Sequence, residues 1–166
     1  LPNAETIYQV PLTLEETGIG DVIVRRLGLK AKKPDNKDWK QMVDHAMTNQ
    51  KKSYDIAVVA KYLDNQDTYL SVFYFFFATA WAEGVGLNLH WVNAEEVTPK
   101  TDLSEYHGIV VPGGFGDRGV EGKITAATYA LDHKTPYLGL CLGMQVGVIA
   151  AARRAGLAKA NSTEFD

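Results

Sequence analysis

The 166-residue chain is poor in cysteine: Cys141 stands alone, so no internal disulfide can form, and a reducing compartment fits best. Long apolar runs are missing too. The most aromatic stretch, "VFYFFFATAW" from Val72 to Trp81, is soon followed by Glu83. It falls short of the roughly 18 residues that span a membrane, and so reads as a buried helix. Nor is there an excess of positive charge: the net charge is -3 and Lys and Arg are scattered, which argues against a nucleic-acid surface. A secretory signal with a basic start, apolar middle and small-residue cleavage site is absent from the sequence. The expectation is a cytoplasmic protein whose partners are small molecules or protein, with no nucleic acid and no membrane.

What remains is ordinary for a soluble domain, with 46% hydrophobic and 22% charged residues, enough for one well-buried core. No internal repeat or low-complexity tract is apparent. The chain opens at Leu1 without Met and stops at Asp166 after the polar "ANSTEFD", and both ends are expected to be cuts.

Residues 1–52 differ from the rest. "LTLEETGIGDVIVRRLGL", the spacer "KAKKPDNKD" and "WKQMVDHAMTNQKK" read as two short helices joined by a solvated linker. In the second, Trp39, Met42, Val43 and Ala46 recur at helical spacing and give one apolar face. From residue 53 on, β-rich runs alternate with helical ones. The strands are "YDIAVVAKY", "LNLHWV", "GIVVPGG" and "PYLGL", and the helices lie around "TYLSVFYFFFATAWAEG", around "EGKITAATYALDHK" and after Cys141. Strands this continuously apolar, joined by helices, imply an α/β fold with a doubly wound, mostly parallel sheet covered on both faces.

Two stretches carry chemistry. In "GLCLG" the chain must turn sharply from strand to helix at Cys141, with Gly139 and Gly143 removing side chains that would clash. This resembles the G-x-S-x-G nucleophile elbow with sulfur for oxygen. A thiol at a helix N-terminus is favoured as thiolate, and the Leu142 N–H is available to an oxyanion. A lone cysteine is also often an inert core residue, and composition leaves that choice open. In "VVPGGFGDRGVEGK", an apolar strand runs through Gly113, Gly114, Gly116 and Gly119 into a helix. Its N–H groups suit an anion, although the spacing is neither G-x-G-x-x-G nor a P-loop, and a plain connection is the alternative. Both stretches end parallel strands, where ligands bind in open sheets, so the two can share one cleft with Gly114 as a second oxyanion donor.

"PGGFGDRGVEGK", "GLCLGMQ" and "ANSTEF" together resemble the glutamine amidotransferase domain of the CTP synthase family. "IYQVPLTLEETG", "KYLDNQDTYLSV" and "LNLHWVNAEE" extend the resemblance over nearly the whole chain. It implies a flavodoxin-like class I amidotransferase domain, truncated on its C-terminal side from 53 to 166, preceded in 1–52 by the end of a synthase domain and an interdomain linker. The implied activity is glutamine hydrolysis through a cysteine thioester, with ammonia passing to a synthase site where ATP-activated UTP becomes CTP. On that mapping Cys141 is the nucleophile, and Gly114 and Leu142 form the oxyanion hole. Gly114, Leu142, Gly143, Met144, Gln145 and Glu164 bind glutamine, and Phe115, Arg118 and Glu121 fall in a loop near the domain interface, where GTP activates. No cofactor is expected in this segment; ATP and Mg belong to the synthase half, which in the family assembles as a homo-tetramer.

The sequence departs from the family in places. The family supplies a His and a Glu downstream of the cysteine in an H-P-E motif, but here His45, His90, His107 and His133 all precede Cys141. None of the four is assigned catalysis. No P-loop or other ATP site is present in these residues, so the chain is expected to be a fragment unable to make CTP. Ala60 stands where the family commonly has Gly, and the "FYFFF" run is more aromatic than an amphipathic helix needs, a surface expected to promote aggregation. Two alternatives remain: another cysteine hydrolase of flavodoxin-like fold, or a non-catalytic binding or interaction module.

Overall fold

The computed structural model describes residues 3–48, 52–61, 63, 66–114 and 116–165. In chain order the elements are α1 (Val10–Glu16), α2 (Ile19–Arg26), α3 (Lys37–Met47), β1 (Ser53–Ala60), α4 (Leu70–Glu83), β2 (Gly86–Asn93), β3 (Gly108–Val111), α5 (Val120–His133), β4 (Tyr137–Gly139) and α6 (Leu142–Arg154). The four strands form one parallel sheet in the order β2-β1-β3-β4. Its centre is the least polar sequence in the chain: Ala57 to Ala60 and all of β3 are buried.

Alternate strand residues face opposite layers. Ala57, Val59, Ile109 and Val111 meet Ile124 and Ala127 of α5 and Val146 and Ile149 of α6. Val58, Ala60 and Val110 point the other way, toward Val72 and Phe76 of α4. The sheet is therefore doubly wound, as the apolar strands and intervening helices predict. In β2, at the sheet edge, Leu89 and Trp91 pack on the α4 side. Asn88 and His90 on the opposite side donate to Asp55 Oδ1 at 3.0 and 2.8 Å.

The chain leaves β1 for β2 on one side and returns past β1 to β3 through residues 94–107. Strand order thus reverses between β1 and β3, and the crevice beyond their carboxyl ends is where such sheets bind ligands.

Two expectations need correction. The aromatic helix is not buried: Ala80 is the sole buried residue of α4, and Phe75 is 59% exposed. A helix apolar all round has only one face to give the sheet, and the remaining rings meet one another, as Phe73 and Phe77 do with centroids 4.5 Å apart. The first N-terminal helix is also two helices, because Gly18, with φ +70°, turns the chain between α1 and α2. The N-terminal region docks on the end of α4 through few contacts. Trp39 Nε1 donates to Tyr8 O at 2.8 Å, Tyr8 meets Trp81 edge-on at 4.9 Å, and His45 Nδ1 donates to Trp81 O at 2.8 Å. No helix among the described residues is long and apolar enough to cross a membrane.

Candidate active site

Cys141 lies between β4 and α6 with φ +54° and ψ -109°, a conformation that costs a non-glycine residue free energy and persists only where the surroundings impose it. Backbone imposes it here. A Cβ on Gly143 would overlap the carbonyl of Val111 in β3, and one on Gly139 would overlap the backbone of Gly143. Both glycines of the sequence motif are therefore required by close approach, and the elbow is held between β3 and the first turn of α6. Tyr137 adds a side-chain tie, its hydroxyl donating to Gly143 O at 2.7 Å. Burial raises the Tyr137 phenol above its ordinary pKa, so it stays a neutral donor. The elbow leaves Cys141 exposed and makes it the N-cap of α6. Leu142 opens that helix, where an N–H has no intrahelical acceptor.

The glycine loop sits against this thiol. A Cβ built on Gly113 would lie 3.2 Å from Cys141 Cβ and 3.7 Å from Sγ, and the next residue, Gly114, has φ +151°. The structure thus brings Gly114, Cys141 and Leu142 to the carboxyl ends of neighbouring strands β3 and β4, as the sequence predicts. Two buried lysines adjoin the loop, and sequence reasoning missed both. Lys61 follows β1 and donates to Gly116 O at 3.3 Å. Lys123, on α5, is wholly buried, and its Nζ has no hydrogen-bond partner among the described residues. Burial, then repulsion from Lys61, pushes its pKa down to about 8, while Cys141 acts in the opposite sense. A signal for Lys123 was available: it recurs with Val120, Ile124, Ala127 and Ala130 at helical spacing, on the face α5 buries.

Gln145 and Glu164, nineteen residues apart, are joined directly, Gln145 Nε2 donating to Glu164 Oε2 at 3.0 Å. Ser162, which the sequence did not single out, ties them together. Its hydroxyl donates to Gln145 Oε1 at 2.7 Å and accepts the Glu164 N–H at 3.2 Å. The returning chain is anchored by Phe165 against the core and by Arg153, whose Nε donates to Ala160 O at 2.9 Å. The Arg153 guanidinium also holds both carboxylate oxygens of Glu121, at 2.8 and 3.1 Å. Gly143 and Met144 occupy the first turn of α6, Gly143 buried and Met144 exposed.

The residues expected in an interface loop are less uniform. Phe115 lies outside the described residues. Arg118 is in the loop, pairs with Glu95 at 2.8 Å and donates to Lys61 O at 3.1 Å. Glu121 instead belongs to the first turn of α5, because the helix already begins at Val120. The histidines are engaged elsewhere: His45 with Trp81, His90 and His107 with Asp55, and His133 with the Tyr129 carbonyl at 3.0 Å. No cluster of three His, Cys, Asp or Glu side chains fit to hold a metal occurs among the described residues.

Comparisons with known proteins bear on this arrangement. Residues 64–164 match the family "Glutamine amidotransferase class-I". The CTP synthase of Chloroflexus aurantiacus is 46% identical over 100% of this chain, and that of Caldanaerobacter subterraneus subsp. tengcongensis is 47% identical over 99% of it. The chain spans 31% of the length of each of these relatives. A solved structure, "Trypanosoma brucei CTPS - glutaminase domain with bound acivicin", aligns with a TM-score of 0.62 at 44% identity, over 68% of this chain and 46% of that one. The family match runs unbroken through the glycine loop and the cysteine elbow to Glu164, and on that ground the chain belongs to the class-I glutamine amidotransferase family.

Proposed function

We propose that this chain is the glutaminase portion of a CTP synthase. The observation that carries the reading is the forced backbone of Cys141, which sets an exposed thiol at the start of a helix and against a glycine loop. In the reaction, Cys141 Sγ attacks the side-chain amide carbon of L-glutamine, and the Gly114 and Leu142 N–H groups receive the oxygen as it gains charge. The carbon–nitrogen bond breaks, the nitrogen takes a proton and leaves as ammonia, and water hydrolyses the thioester to glutamate. Glu164, already aligned by Gln145 and Ser162, offers a carboxylate to the substrate ammonium.

The proton acceptor is none of the four histidines. The resemblance assigns it to a His-Pro-Glu motif that has no counterpart in these 166 residues. Ammonia then serves a synthase site that binds ATP, Mg and UTP outside these residues, in an assembly that responds to GTP and forms a homo-tetramer. No step here is routed through those groups. The relatives named CTP synthase, and the glutaminase domain solved with acivicin, support this reading.

Acivicin labelling of the intact chain, followed by mass spectrometry, tests it. The expected result is modification of Cys141 that glutamine slows and that Glu164→Gln renders insensitive to glutamine. Labelling no faster than by a neutral alkylating agent, with no protection by glutamine, would sink the proposal and favour a binding module with a bystander thiol.

A further inference from the structure

The glycine loop between β3 and α5 is fastened at two places. At one end it packs on the elbow, where a Cβ on Gly113 would lie 3.2 Å from Cys141 Cβ. At the other it is held by Lys61, the first residue after β1, whose Nζ donates to Gly116 O at 3.3 Å. A Cβ built on Gly116 would lie 3.8 Å from the same Nζ, so the ammonium group rests directly on the loop. Gly114, with φ +151°, lies between the two fastenings.

The loop also grips Lys61 in return. Arg118 donates through Nη2 to Lys61 O at 3.1 Å, and its Nε pairs with Glu95, beyond β2, at 2.8 Å. Lys61 therefore meets the loop through both its side chain and its main chain. The ties are unequal. Arg118 and Glu95 are exposed, where an ion pair contributes little. Lys61 is only 6% exposed, and a buried ammonium group holds its acceptors firmly because little water is at hand to replace them.

We infer that Lys61 is a positioning residue for the oxyanion hole: its ammonium group sets the loop at Gly116 and so aims the Gly114 N–H at the substrate oxygen. The inference rests on the proposed glutaminase reaction, in which that N–H receives charge as sulfur adds to the amide carbon. A donor displaced by about 1 Å loses most of its effect on such a step, even where the nucleophile itself is undisturbed.

The test compares two alkylating agents on Cys141 in the intact chain, in Lys61→Met and in Glu95→Gln. Acivicin reacts by addition of sulfur to a ring carbon, with negative charge passing to the ring nitrogen; chloride then leaves and the thiol proton goes to solvent. Iodoacetamide loses iodide in a single displacement and places no charge on the loop. Lys61→Met should slow acivicin roughly tenfold and iodoacetamide by less than about twofold. Glu95→Gln should change neither rate by more than about twofold. A merely structural role would slow both reagents alike or neither. Acivicin rates that match in Lys61→Met and the unaltered chain, equal losses with both reagents, or a loss as large in Glu95→Gln would each overturn the inference. With glutamine still protecting Cys141, such a result leaves the glutaminase proposal standing. Acivicin labelling of the unaltered chain that glutamine does not slow would instead remove that proposal and the oxyanion role with it. Should Lys61→Met fail to fold, NMR of the unaltered chain decides. A nuclear Overhauser contact between the Lys61 ε protons and the Gly116 α protons is expected, and its absence overturns the inference.

Discussion

On the α5–α6 side of the sheet the first turn of α6 approaches until backbone meets backbone, at Gly143 against Val111, whereas on the α4 side contact is made by bulky side chains such as Val72 and Phe76. The consequences differ. Where glycine brings main chains together, the positions of atoms are fixed by covalent geometry, and the strained Cys141 is found there. Where rings make the contact, the helix keeps an exposed aromatic surface and carries none of the site residues. The lesson is that the crowded side can hold a thiol in a costly conformation because it has no slack to relieve it.

The largest expected effect comes from giving that side a side chain. Gly143→Ala places a methyl group on the Val111 carbonyl and should cost more than about 4 kcal/mol, with loss of the folded elbow visible in thermal unfolding and in the reactivity of Cys141. A fully stable Gly143→Ala protein would erase the contrast between the two sides. Tyr137→Phe removes the tie to Gly143 O and should cost about 1 kcal/mol in denaturant unfolding. On the other side, Phe75→Ser should change stability by no more than about 0.5 kcal/mol, because most of Phe75 is already exposed, while lowering self-association in sedimentation. A loss comparable to that of Gly143→Ala would show that the aromatic face is packed after all.

The smallest effect lies at the margin of the crowded side, where Asn88 and His90 of β2 are exposed. Hydrogen bonds from His90 and then Asn88 hold the Asp55 carboxyl below its ordinary pKa. Its contribution is therefore complete above the ordinary carboxylate range and is lost as pH falls through the depressed folded value. Asp55→Asn should flatten the acid limb of the stability curve and leave neutral pH nearly untouched. An unchanged acid limb would mean that the cluster carries no pH-linked stability.

The parallel sheet was legible because its strands are short apolar runs separated by helical spacing, and the elbow was legible because G-x-C-x-G has a steric meaning. The burial of α4 was misread for a physical reason: hydrophobicity all round a helix says nothing of how much neighbouring surface exists to cover it. Gly18 was hidden within a run of helix-compatible residues, so the break between α1 and α2 depended on one left-handed residue. Lys123 was passed over because lysine is normally solvated, although its spacing put it among Val120, Ile124 and Ala127. Ser162 reaches Gln145 through one hydrogen bond across seventeen residues, and no local pattern encodes such a contact.

Arg153 gives the site one compliant half. It fastens the chain at Ala160, just before the segment that brings Glu164 back to Gln145. The backbone around the exposed thiol is set by close approach and can shift only with loss of structure. The Glu164 end is held by side-chain hydrogen bonds that can break singly, each worth about 1 kcal/mol. The two halves of the site therefore differ in stiffness, and Arg153 is the tether that keeps the softer half within reach of the rigid one.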